Sequence, residues 1–225
     1  MLKISKLTKR FGTQAAVNEL DIEVKEPGLF VFVGANGSGK STLFNLVAGF
    51  ILPDKGEICI NGDSNTDTSR TKTGISTEPF FTEPSLTINE IFDICIRIQK
   101  ALFDDCEKWL SYWELDAFRS KPFKALSTGM KKRLSLALSL IGNPDILLWD
   151  EPFNGLDPLG IELLNRLISD LVKQGKYVFL STHLLNEIHS QEAVFFILKD
   201  GKLIGKIDAR QIVPDCNEQI INLLK

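Results

Sequence analysis

The 225-residue chain carries a net charge of −3 with both signs abundant, together with four cysteines and two histidines. That balance argues against a dedicated nucleic-acid binder, which would concentrate positive charge on one face. A chain of this length buries roughly 70% of its unfolded surface and needs no disulfide or metal to hold it. Cys59, Cys95, Cys106 and Cys216 form no CxxC pair, so free thiols in a reducing compartment are expected.

At the N-terminus, "LKISKLT" (2–8) and "LDIEV" (20–24) alternate apolar and polar residues and predict antiparallel strands with one wet face. The opening stretch lacks the apolar block of a signal peptide. No run approaches the ~18 apolar residues of a membrane span. A soluble cytoplasmic chain is expected. "LFVFVG" (29–34) is continuously apolar, as are "DILLWD" (145–150) and "KYVFLS" (176–181). Such segments fit strands buried on both faces of a parallel sheet. Each leads through a polar or glycine-containing turn into a helix-like segment, the alternation of an α/β fold. "AVFFILKDGKLIGKI" closes the series as a hairpin, with Asp200-Gly201 suited to a type I′ turn.

Between about 79 and 143 the pattern becomes helical. In "LTINEIFDICIRIQK", Thr87 and Glu90 have capping-box spacing, and Ile88, Ile91, Phe92 and Cys95 share one helical face. "DDCEKWLSYWELDAF" and "LSTGMKKRLSLALSLIG" predict two further helices. The organisation expected is one domain over 1–225: an α/β core with a β subdomain from 1–77 and 144–225, and an inserted helical subdomain at 78–143.

"GANGSGKS" (34–41) fits GxxxxGK[ST] between a buried strand and an amphipathic helix, the context the motif requires. Gly34, Gly37 and Gly39 let the backbone wrap an anion with its N–H groups, and the helix that follows aims its positive end there. Lys40 supplies a charge for β- and γ-phosphates, and Ser41 a hydroxyl for Mg²⁺. Asp150 and Glu151 end a buried strand, where ligands collect in open α/β sheets. Adjacent carboxylates there are costly without a cation. Mg²⁺ held through Ser41 and Asp150 would leave Glu151 to polarise a water in line with the γ-phosphate. The base could be adenine or guanine; no NKxD motif is present, and ATP is preferred.

In their order these motifs resemble the nucleotide-binding subunit of an ATP-binding cassette (ABC) transporter over roughly residues 1–207. The resemblance implies a P-loop NTPase fold, RecA-like, with a parallel sheet core, an antiparallel β subdomain and an inserted helical subdomain. It places Phe11 on the adenine ring, Val17 beside the same nucleotide, and Asn36, Gly37, Ser38, Gly39, Lys40, Ser41 and Thr42 around the phosphates. "LSTGM" stands where the family has "LSGGQ", which implies that Ser127, Thr128, Gly129 and Met130 meet the γ-phosphate of a second cassette. Thr128 replaces a glycine and Met130 a glutamine. Asp157, in "NGLDP", would pass information between the two sites. His183 would hold the γ-phosphate or water. Glu78 stands where a glutamine is expected and is a further Mg²⁺ candidate. The resemblance also implies a homodimer or heterodimer of cassettes around two ATP, on the inner face of the cytoplasmic membrane. The transmembrane permease would be encoded separately, as in exporters, and no nucleic acid is expected. The rivals are a soluble ABC ATPase outside transport and a cassette that binds ATP but hydrolyses it slowly.

Outside these motifs, Lys131, Lys132 and Arg133 read as a solvated helix face, or alternatively as charges that steer a partner cassette's ATP or stabilise the dimer; His189 reads as a surface residue and Trp149 as core. Phe80 and Phe81 suit either a docking surface or the core of the helical insert.

Overall fold

The continuously apolar segment at 29–33 becomes the middle of a six-stranded sheet. The computed structural model describes residues 1–64, 73–77, 80, 82–183, 185–188, 192–209 and 220. In chain order its elements begin with β1 (Leu2–Phe11), β2 (Gln14–Val24), β3 (Gly28–Val33), α1 (Lys40–Val47), β4 (Lys55–Ile60), β5 (Asp63–Ser64) and β6 (Thr73–Ser76). Next come α2 (Ile88–Gln99), α3 (Phe103–Tyr112), α4 (Thr128–Leu138), β7 (Ile146–Trp149), α5 (Pro158–Lys173), β8 (Tyr177–Thr182), β9 (Val194–Lys199) and β10 (Lys202–Asp208).

The central sheet has the order β10-β9-β3-β8-β7-β6, and a four-stranded antiparallel sheet has the order β2-β1-β4-β5. Strand β3 runs parallel to β8 and β9, and β7 runs parallel to β6 and β8. Among the described residues, only β10 is antiparallel in the central sheet, returning from β9 through Asp200 (φ 51°) and Gly201 (φ 74°). Both turn residues thus have the positive φ that a type I′ turn demands.

Alternation along β3 explains why its segment is apolar throughout. Phe30 and Phe32 face the antiparallel sheet and α1, in a core with Phe44, Phe179 and Phe196. The rings of Phe30 and Phe179 stack at 5.0 Å, and those of Phe32 and Phe196 at 5.1 Å. Leu29, Val31 and Val33 face the other way, into a core shared with α2, α4 and α5. With both faces covered, no position on the strand can be polar without a partner.

Helix α2 begins as its sequence predicts. Thr87 is the N-cap, its side chain accepts from the Glu90 N–H, and the Glu90 carboxylate accepts from the Thr87 N–H at 2.8 Å. Ile88, Ile91 and Phe92 are buried on one face, and Cys95 is half-buried. The next helix is shorter than its apolar spacing suggests. α3 stops at Tyr112, and Glu114 enters the left-handed region at φ 56°. The Leu115 N–H bonds back to Leu110 O at 2.9 Å, which closes the helix end in the manner of a Schellman turn. Trp113 and Leu115, both fully buried, drive the reversal. Strands β4 and β6 were not anticipated: β6 is only four residues, contains a glycine, and is defined by its pairing with β7. Among the described residues, no helix is long and apolar enough to cross a membrane.

Candidate functional site

At the carboxyl end of β3 the chain turns through residues 34–39 into α1. Two glycines in this turn are irreplaceable for different reasons. Gly37 has φ +82° and open space around it, so the backbone there is bare to a ligand. Gly39 has φ +103°, and a Cβ on it would lie 2.2 Å from Ala16 O, so the loop is pressed against β2. The Gly201 N–H of the β9–β10 turn donates to Ser38 O at 3.1 Å, and Asn18 N–H donates to Gly201 O at 2.8 Å. The first turn of α1 leaves its N–H groups without intrahelical acceptors, and the helix contributes positive potential at that end.

A pocket of about 420 Å³ opens over this turn. Asn36, Gly37, Gly39, Lys40, Ser41 and Thr42 form its floor, and Glu151 and His183 form one wall. Phe11, at the end of β1, stands at the rim with 55% of its surface exposed. Lys40 Nζ donates to Gly34 O at 2.8 Å and Ala35 O at 3.2 Å, and lies 3.8 Å from Glu151 Oε1. Burial pushes the Lys40 ammonium below the ordinary lysine value, while the neighbouring Glu151 and Asp150 carboxylates oppose that shift.

Asp150 sits behind Glu151, buried, and its Oδ1 accepts a short hydrogen bond from Ser181 Oγ. Ser181 Oγ in turn accepts from the Glu151 N–H at 2.9 Å. Glu151 Oε2 lies 3.0 Å from His183 Nδ1. Lys40, Asp150, Glu151 and His183 therefore converge from α1, the end of β7 and the end of β8. The Ser38 hydroxyl is buried with no hydrogen-bond partner among the described residues.

Val17 does not join this group; it is fully buried in the core, and Gln14 and Ala16 from the same strand line the pocket instead. Asn154 lines it as well. Gln14 and Ala16 lie within no motif that marks them, whereas Asn154 opens the "NGLDP" stretch read above for Asp157 alone. Glu78, Phe81, His189 and Cys216 lie outside the described residues. Phe80 packs against the helical core, its ring edge-on to Phe123 at 5.5 Å. Trp149 is fully buried and donates from Nε1 to Ser139 Oγ at 2.9 Å. Burial pushes the Cys106 thiol up to about 11, so it stays protonated and inert at neutral pH.

Ser127, Thr128, Gly129 and Met130 do not line the pocket. Ser127 is the N-cap of α4, its Oγ accepting from the Met130 N–H at 3.2 Å. Ser127 and Thr128 are exposed. A side chain on Gly155 would meet Thr128 Cγ2 at 3.1 Å, so α4 begins against the segment that leads to Asp157. Asp157 is the N-cap of α5, accepting from the Gly160 N–H at 2.9 Å and from Arg133 at 2.8 Å. These two bonds hold its carboxyl below the ordinary aspartate value.

The cationic run after the signature departs from the expected solvated face. Lys132 is 6% exposed and Arg133 9% exposed. Arg133 bridges Glu114 at 2.7 Å and Asp157 at 2.8 Å, while Lys132 Nζ donates to Glu151 O at 3.0 Å. Lys131 instead lies 4.9 Å over the Phe123 ring. Partners distant in sequence draw two of the three cations inward, because a buried cation requires acceptors and these elements supply them.

The sequence model of the ABC transporter family matches residues 17–154. The bacitracin transport ATP-binding protein BcrA of Bacillus licheniformis is 34% identical over 215 residues, covering 92% of this chain and 69% of that protein. The Nod factor export ATP-binding protein I of Ralstonia nicotianae is 29% identical over 220 residues, covering 95% and 68%. A dimeric ATP-binding cassette solved in a post-hydrolysis state with ADP and Pi superposes with a TM-score of 0.82 at 27% identity, covering 93% of this chain and 99% of that one. The chain belongs to the ABC transporter family. It is the ATP-binding subunit of such a transporter, and it hydrolyses ATP.

Proposed function

We propose that the pocket over residues 36–42 binds MgATP, and that this chain pairs head to tail with a second cassette to drive a separately encoded permease. The observation that carries this reading is the division of the motifs. Lys40, Glu151 and His183 line one pocket, with Asp150 buried next to Glu151, while the exposed start of α4 is no part of that lining. A second cassette, identical or homologous, would bring its own Ser127–Met130 segment over the first one's phosphates. The donor-rich N-terminus of α4 suits that contact.

Magnesium takes oxygen ligands, which the Ser41 hydroxyl and the Asp150 carboxylate would offer, with the phosphates supplying the remaining anionic oxygens. The ion would polarise the γ-phosphoryl group. Glu151 accepts the proton of the attacking water, and His183, already in contact with its carboxylate, orients that water. Lys40 exchanges the Gly34 and Ala35 carbonyls for phosphate oxygens. Phe11 stacks on the base. Asp157, fixed by Arg133, couples the signature of one site to the neighbouring site. Closure around ATP and reopening after hydrolysis form a population shift driven by phosphate contacts.

Phe11→Ala is expected to weaken ATP binding about fivefold or more, since stacking contributes about 1–3 kcal/mol per base. The melting temperature should hardly move, because Phe11 is largely exposed. Equilibrium titration with ATP on the folded variant measures this.

The permease reading favours export, with a location on the inner face of the cytoplasmic membrane; the relatives named for bacitracin transport and Nod factor export support it. Co-expression with a membrane protein, sought among the products of neighbouring genes, should yield a detergent-stable complex with altered ATPase rate. A chain that stays apart from that protein, with unaltered turnover, would favour a soluble ABC ATPase instead.

A further inference from the structure

We propose that Lys132 is a positioning residue for Glu151: its buried ammonium fixes the backbone from which the proposed general base projects. This inference rests on the reading of Glu151 given above. Glu151 adopts φ 47°, the left-handed region that a side chain with a Cβ rarely occupies. Pro152 follows it and disfavours right-handed helical backbone at 151.

The conformation is held from both sides. Ser181 Oγ takes the Glu151 N–H at 2.9 Å. Lys132 Nζ reaches the Glu151 carbonyl at 3.0 Å and the Asp150 carbonyl at 3.5 Å. An ammonium with 6% exposure is costly to bury, and an apolar side chain would fill the same space at lower cost. The cation therefore serves the carbonyls it bonds. Orienting this peptide sets where the Glu151 carboxylate points, toward His183 at 3.0 Å and Lys40 at 3.8 Å. Misplacing a catalytic group by about 1 Å can cost about 10²-fold in rate.

The placement of Lys132 on α4 adds a second consequence. The helix presents Ser127–Met130 at its start and, one turn later, bonds the backbone carbonyl of Glu151 in its own chain through Lys132. One rigid element thus joins the segment that meets a partner's nucleotide to the base that acts on its own.

The test compares the parent with Lys132→Met, Lys132→Arg, Glu151→Gln and the double variant Lys132→Met/Glu151→Gln, using steady-state ATPase and thermal melting. Lys132→Met should lower kcat about tenfold or more, the scale of a lost charged hydrogen bond, with KM for ATP within about twofold. Lys132→Arg, which keeps charge and donors, should recover to within about threefold of the parent. In the Glu151→Gln background, Lys132→Met should cause no further loss, because the residue acts through Glu151. Equal proportional losses in both backgrounds, or a changed KM at parental kcat, would overturn the proposal. Parental turnover in Glu151→Gln alone would instead refute the reading of Glu151. Should Lys132→Met fail to fold, Lys132→Gln takes its place: reduced kcat at parental KM supports the proposal, and parental kcat overturns it.

Discussion

Glu151→Gln is expected to cut steady-state ATP hydrolysis by about 10²–10⁴-fold, the range for loss of a general base, while ATP still binds. The amide keeps the shape of the side chain but cannot take the proton of the attacking water. The backbone bonds that fix this residue, from Ser181 to its N–H and from Lys132 to its carbonyl, do not involve the carboxylate. The fold should therefore survive. With hydrolysis blocked, the ATP-bound pair should accumulate and elute from size-exclusion chromatography at twice the monomer mass in MgATP. A variant that stays monomeric under those conditions counts against the head-to-tail arrangement. One that hydrolyses at the parental rate counts against Glu151 as the base.

Lys40→Ala is the second large effect, and it should strike binding and turnover together. Removing a preorganised charge aimed at developing negative charge typically costs about 10²–10³-fold in rate, and here the same ammonium also contacts the ground-state phosphates. The substitution strips the partner from the Gly34 and Ala35 carbonyls, at 2.8 and 3.2 Å, and from Glu151 at 3.8 Å. ATPase activity should fall to background, with ATP affinity reduced as well, in a chain that still melts cooperatively. Turnover unchanged by Lys40→Ala would remove the assignment of this pocket.

Much of the architecture is legible from local patterns, because local patterns carry its causes. An unbroken apolar run needs a sheet covered on both faces, and β3, β7 and β8 are such strands. A threonine three residues before a glutamate starts α2, and an Asp-Gly pair turns β9 into β10. The phosphate loop announces itself through its glycines. Other features depend on distant partners and leave no periodic trace. β6 is a strand because β7 lies beside it. Lys132 and Arg133 are buried because Glu151, Glu114 and Asp157 meet them. Ser181 looks like the polar end of an apolar strand, yet its hydroxyl bonds both the Asp150 carboxylate and the Glu151 N–H. The end of α3 misleads for another reason: Trp113 and Leu115 keep apolar spacing across a left-handed turn that a glycine would normally mark.

The phosphate loop is also a shared seam. Gly39 abuts Ala16 of β2, and Ser38 O takes the Gly201 N–H of the β9–β10 turn, itself bonded to Asn18. The loop cannot peel open without unclasping the antiparallel sheet from the central one. Ligand held there is consequently linked to the cohesion of both sheets: at a hundredfold excess over Kd, mass action adds about 2.7 kcal/mol against any opening that releases it. Slow amide exchange at Asn18 and Gly201, remote in sequence from the glycine loop, then becomes a gauge of occupancy. Filled, the seam should therefore open less readily than when empty.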